Sequence, residues 1–188
     1  MKKNYLKKNK IKVVLCCLTG IGNIVLKELL KKKIKIEKIY TRKEKKDFPY
    51  FKCKNIVKVA NKLNIPVSYA DPKNLNVDLC LVATYHKKII LKKNKFKLAL
   101  NIHPSYLPHL KGKDPIKEAL LKNKKYIGVS IHYLTNKFDD GDVIKQKKIL
   151  INKKDDKSSI LKKMLPIYSK FTAYLLKNYY KLNNGKSL

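Results

Sequence analysis

The stretch LNIHPSYLPHLKG, residues 100–112, ends an apolar run on Asn101 and His103 and then breaks at once on Pro104 and Pro108. An amide and an imidazole are poor choices for the last turn of a core strand unless chemistry requires them there. A second cluster, FDDGD at 138–142, lies between two β-rich stretches further on. A carboxylate from that loop can reach His103, hold its ring in one tautomer and raise its pKa above the unperturbed value of about 6.5. Asn, His and Asp together suit a reaction that passes through an oxyanion. The amide and a protonated imidazole stabilise negative charge developing on a carbonyl oxygen, and the histidine also carries a proton. No seryl or cysteinyl nucleophile is required if the substrate brings its own amine.

The elements that hold these residues alternate along the chain. IKVVLCCL (11–18) reads as a strand and is followed by TGIGN and the apolar-periodic IVLKELLKK, which suits a helix. IKIEKIYT (34–41) is a second strand. The loop RKEKKDFPYFKC leads to a helix over roughly 53–63, and IPVSYA supplies a short strand. VDLCLVAT (77–84) reads as a fully buried strand, LALNI as the next, and KDPIKEALLK (113–122) as a helix. YIGVSIHYL (126–134) and DVIKQKKILI (142–151) are β-rich. Apolar residues at 160, 161, 164, 168, 171, 175 and 179 make a helical stripe, within which Pro166 is expected to kink or split the helix. The alternation predicts an α/β fold with a doubly wound, mostly parallel sheet. One domain is expected over 1–188, with a motif-bearing core at 11–150 and a helical segment at 157–180. In open sheets of this kind ligands sit beyond the carboxyl ends of the strands, which is where Asn101 and His103 fall.

Composition sets the surroundings. A chain of 188 residues with 44% hydrophobic content can bury a proper core. No apolar run approaches the roughly 18 residues of a membrane helix. The start, MKKNYLKKNKIKVVLCCLTG, faintly mimics a signal peptide but reads better as the approach to a first strand. Cysteines at 16, 17, 53 and 80 lack metal-like spacing and fit reduced thiols in a cytoplasmic protein. The net charge of +33 admits a nucleic-acid reading, yet Arg42 is the lone arginine among 46 basic residues. Arginine is the residue that grips phosphates and bases bidentately, so drift of surface positions to lysine is the competing explanation. Either way the charge draws anionic ligands.

TGIGN sits where Rossmann folds bind pyrophosphate, but the third glycine of that fingerprint is missing, with Val25 in its place. Two readings stay open: a helix amino terminus facing an anionic or polar substrate group, or a tight turn with no ligand. His86, His109 and His132 have no partners at zinc-ligand spacing and read as structural or surface residues.

NIHPSYLP, KGKDPIKEAL and IGVSIHYLTNKFDDGDVIKQ, in this order and spacing, resemble the catalytic segment of the formyltransferase family. The resemblance covers roughly 11–150. It implies a Rossmann-like formyltransferase topology and an enzyme that moves a formyl group from 10-formyltetrahydrofolate to an amine, with no metal. It places the catalytic roles on Asn101, His103 and Asp139, with Asp140 the neighbouring carboxylate. It implies that the pterin is held largely by backbone groups of 84–90 and 133–140, so that Lys88, Ile89, Ile90, Leu134, Asp139 and Asp140 form the folate site. Lys87 or Lys88 would meet the folate tail, and His132 would lie close enough to support the site. Thr19, Gly20 and Gly22 are assigned to the acceptor. The acceptor expected is a small amine such as a nucleotide-linked amino sugar. The alternatives are a methionyl-tRNA, glycinamide ribonucleotide and, outside catalysis, an RNA-binding protein on the same scaffold.

Overall fold

The computed structural model describes residues 11–44 and 48–184. Seven strands form one sheet in the order β3-β2-β1-β4-β5-β6-β7. They are β1 (Val13–Cys17), β2 (Ile36–Tyr40), β3 (Val67–Ser68), β4 (Asn76–Ala83), β5 (Lys95–His103), β6 (Tyr126–Tyr133) and β7 (Val143–Leu150). Strands β1 to β5 pair in parallel, and β6 and β7 return antiparallel, leaving β7 at the edge. The strands match the expected segments, because a two-residue side-chain period and β-branched runs leave little choice.

The helices are α1 (Ile21–Lys31), α2 (Ile56–Lys62), α3 (Pro115–Leu121), α4 (Lys157–Lys177) and α5 (Tyr179–Asn184). Helix α1 begins earlier than its periodic stretch suggested, directly after the Gly20 turn. Asn55 and Asp114 cap α2 and α3 with their side chains, and Pro115 takes the first turn of α3, where its missing N–H costs nothing. Asp156 and Ser159 cap α4 reciprocally. Pro166 does not split α4, which runs unbroken to Lys177. Pro166 and Lys162 lie on the exposed side of the helix, so water can take the Lys162 carbonyl that the ring leaves unpaired. None of the described helices is long and apolar enough to cross a membrane.

Both sheet faces are covered, but by different means. Leu98, Leu100 and Ile102 of β5 and Ile127, Val129 and Ile131 of β6 join the main core, together with buried residues from all five helices. A smaller core of Val14, Cys16, Cys80, Val82, Ile89 and Ala99 occupies the other side, where the β4–β5 connection carries only a short 3₁₀ turn at Leu91–Lys93. Alternation along β5 and β6 therefore sends Asn101, His103, Ser130 and His132 to this thinly covered face.

The two layers communicate at Tyr168 of α4, which is fully buried and donates its hydroxyl to the Ile102 carbonyl over 3.2 Å. Burial and the Asp139 carboxylate both keep that phenol protonated, pushing its pKa well up. Replacing Tyr168 by Phe removes one buried hydrogen bond, worth about 0.5–1.5 kcal/mol. We expect a loss of that size in urea unfolding with little change in m-value. An unchanged midpoint would show that the bond contributes nothing to holding α4 on β5.

Candidate active site

Register brings the site together. Asn101 of β5 lies opposite His132 of β6, and His103 lies opposite Ser130. The loop after β6 then returns Asp139 over this row. Asn101 Nδ2 donates to Asp139 Oδ1 over 3.0 Å, and His103 Nδ1 and His132 Nε2 each stand 3.4 Å from the same oxygen. The Gly112 N–H donates to the other carboxylate oxygen over 2.9 Å. Asn101, His103, His132 and Asp139 are all buried.

The backbone is bent to permit this. Asp139 has φ +49°, Leu110 +57° and Gly112 +105°. The left-handed region is costly for side-chain-bearing residues and is held there only by surrounding contacts. Gly141 completes the loop: a Cβ there would stand 1.9 Å from the Tyr133 carbonyl oxygen. That carbonyl also receives His132 Nδ1–H over 2.8 Å, which leaves Nε2 as the nitrogen facing Asp139.

His103 Nε2 lies 3.1 Å from the Leu110 carbonyl. A carbonyl only accepts, so this nitrogen carries a hydrogen. Two acceptors, Leu110 and Asp139, thus face one ring and favour its protonated form. Burial opposes them and wins, with His132 adding to it, so the His103 pKa lies below its ordinary value. This corrects the expectation of a raised value, which counted the carboxylate but not the cost of desolvating an imidazolium. For Asp139, burial pushes up, yet His132, His103 and the Gly112 N–H together hold the carboxyl below its usual range.

Asp140 points elsewhere and pairs with Lys111, which holds it ionised. Among the folate-site expectations, Ile89 is buried in the smaller core while Ile90 is 38% exposed. Leu134 packs against the same core, and its N–H bonds the Ala99 carbonyl. Lys88 lies over the Phe138 ring at 5.9 Å, joining the 84–90 segment to the loop that carries Asp139. Lys87 pairs instead with Asp71 over 2.6 Å.

Thr19, Gly20 and Gly22, expected at the acceptor, form the turn between β1 and α1 and also serve the packing there. The Thr19 hydroxyl accepts the Ile56 N–H at the start of α2. The Gly20 N–H goes to Asn23 and the Gly22 N–H to the Leu18 carbonyl. A Cβ at Gly20 would meet the Phe48 ring at 2.6 Å, and one at Gly22 would meet Cys17 Sγ at 2.6 Å. These glycines permit close packing.

Three partners were not singled out from sequence: Gly112, Leu110 and Ser130. The first two act through backbone groups and leave no side-chain signal. Ser130 could have been found from its two-residue spacing to His132.

A family model described as "Formyl transferase" matches residues 31–171. The methionyl-tRNA formyltransferase of Buchnera aphidicola subsp. Baizongia pistaciae is 35% identical over 136 residues, covering 65% of this chain and 42% of that protein. The bifunctional polymyxin resistance protein ArnA of Wigglesworthia glossinidia brevipalpis is 28% identical over 186 residues, covering 89% and 28%. The chain thus spans less than half the length of either curated relative. An N-formyltransferase from Helicobacter canadensis, solved with folinic acid and dTDP-3-aminofucose, superposes with a TM-score of 0.72 at 24% identity, covering 93% of this chain and 65% of that one. This last likeness shows the shared fold.

The charge pattern gives a direct titration test. His103 should titrate below about 6.5 by NMR, and Asp139→Asn should move it further down, because the carboxylate is the main group holding the value up. Folding stability carries the same sign. A depressed histidine pKa contributes stability that is fully present above the unfolded value and is lost as pH falls from there through the lower folded value. A midpoint at or above 6.5 in the wild-type protein would overturn this account of the site.

Proposed function

Since the chain belongs to the formyl transferase family, we propose that it transfers a formyl group from 10-formyltetrahydrofolate to the nitrogen of a primary amine. The observation that carries this reading is the buried cluster of Asn101, His103 and Asp139, in which Asn101 Oδ1 has no partner. A buried acceptor without a donor costs about 1–3 kcal/mol, and a reacting amine N–H can fill the place. In the transfer, the amine nitrogen bonds to the formyl carbon, the carbon–N10 bond of the folate breaks, and one proton passes from the amine to N10. The second N–H of Asn101 Nδ2 is available for the oxyanion formed between these events.

His103, neutral near pH 7, takes the proton from the amine and returns it to the leaving nitrogen. Asp139 stabilises the imidazolium while it exists. The proton acceptor is the ring, and the amide alone supplies the oxyanion contact. That division differs from the one expected when the imidazole was taken as protonated at rest. The segment 84–90 and the loop 133–140, joined by Lys88 and Phe138, are the surfaces assigned to the folate.

For the acceptor, the stronger support lies with the methionyl amine of a charged tRNA. A relative at 35% identity carries that activity in its name, and a net charge of +33 suits a polyanion. A nucleotide-linked amino sugar is the second reading, favoured by the likeness to the enzyme solved with dTDP-3-aminofucose.

Purified protein supplied with 10-formyltetrahydrofolate should be offered methionyl-tRNA and nucleotide-linked amino sugars in parallel, with formylated product measured. Asn101→Ala should lower turnover on the order of 10²–10³-fold, as for loss of an oxyanion donor, and His103→Ala should lower it about 10²–10⁴-fold. Wild-type rates in a folded His103→Ala protein would remove the mechanism. No transfer to any amine, together with RNA binding that falls steeply with salt, would favour a binding protein on this scaffold.

A further inference from the structure

The register places His103, Ser130 and Gln146 in one row across β5, β6 and β7, each directly opposite the next. The segment 104–110 crosses this row. The Ser130 hydroxyl donates to the Ser105 carbonyl over 2.7 Å and accepts from the Leu107 N–H and from Gln146 Nε2, each over 3.1 Å. One donor and two acceptors are all that a serine hydroxyl has, and all three are used. Gln146 Nε2 also donates to the Leu107 carbonyl over 2.6 Å. Both backbone polar groups of Leu107 are therefore tied to side chains of the sheet.

The same segment delivers two backbone groups to the site three and five residues later. The Leu110 carbonyl takes His103 Nε2–H, and the Gly112 N–H holds Asp139 Oδ2. A carbonyl aimed at Nε2 decides which ring nitrogen carries the hydrogen while the histidine is neutral. Where that carbonyl lies depends on where Leu107 is held. Gln146 itself touches neither His103 nor Asp139 by any hydrogen bond or ion pair described for it.

We propose that Gln146 and Ser130 are positioning residues, which fix the tautomer and orientation of His103 by anchoring Leu107 and, through it, the Leu110 carbonyl. The consequence for catalysis rests on the formyl-transfer reading above, whereas the consequence for the ring does not. Displacement of about 1 Å at a reacting group can lower rate on the order of 10²-fold, so the anchor is expected to act on kcat more than on the binding of folate.

The experiment uses the full chain with ¹⁵N-labelled histidine and reads ring proton–nitrogen correlations, with His103 assigned by its loss in His103→Gln. Wild-type His103 should show the Nε2–H form. Gln146→Leu, on a half-exposed site of the edge strand, should remain folded and show a mixture of tautomers. Its kcat should fall about tenfold or more, its folate KM should stay within about twofold, and its pH–rate profile should shift. Ser130→Ala should act in the same direction, and Ser130→Thr, which keeps the hydroxyl, should restore the wild-type tautomer. A folded Gln146→Leu protein with the wild-type tautomer and pH profile overturns the proposal, even if its melting temperature has dropped. Should wild-type protein transfer no formyl group while the tautomer still responds to Gln146, the positioning role stands and the assigned reaction fails.

Discussion

Taking the Asp139 carboxylate out of water costs several kcal/mol unless donors replace its hydration. The surrounding architecture supplies two, the amide of Asn101 on β5 and the N–H of Gly112, and sets the imidazoles of His103 and His132 3.4 Å from the same carboxylate. Each donor imposes its own requirement. The β5 and β6 groups need a fixed register, and the Gly112 group needs a left-handed turn. Asp139 must itself adopt a left-handed backbone to reach them. Removing any donor leaves a buried charge short of partners, so tolerance to change at these positions should be low although few of them would touch a substrate.

Burial, against the pull of this carboxylate, is why the site holds a neutral histidine beside an ionised acid. Burial acts on both groups, but the acid has several partners to offset it and the imidazole has fewer. Two groups three to four ångströms apart are thereby set to different protonation states by their surroundings, which is what a proton-carrying site requires. The main core stands behind this arrangement. Leu100 and Ile102 anchor β5 in the helix layer, so the intervening Asn101 and the following His103 project from a strand that cannot rotate.

Much of this was legible in the sequence because strand and helix periods are written in local apolar spacing. All seven strands coincide with stretches that showed such spacing, although β5 runs from Lys95, three residues before its apolar run, and the Asn–His pair marked itself by interrupting that run. The continuity of the helix through Pro166 was not legible because proline's effect depends on which side of the helix faces water, and that follows from tertiary packing. The Gly20–Gly22 turn was assigned to a ligand because a glycine signals only that space is needed. Phe48 and Cys17 stand against these glycines, and the Phe48 contact comes from a loop that the motif does not record. The histidine pKa was assigned the wrong direction because a partner's charge can be read from a motif, whereas burial cannot.

The sheet ends at β7, whose outer backbone groups have no strand beside them. An open edge invites a second chain to add itself, and repeated addition is the route to insoluble fibrils. Along this edge the sequence reads VIKQKKIL, with Lys145, Lys147 and Lys148 inside the strand. Two such edges meeting would bring these ammonium groups close together, and like charges on facing strands repel. A bias toward lysine that arose without regard to structure would thus have a protective effect at this border, keeping a crowded solution of the protein from self-templating.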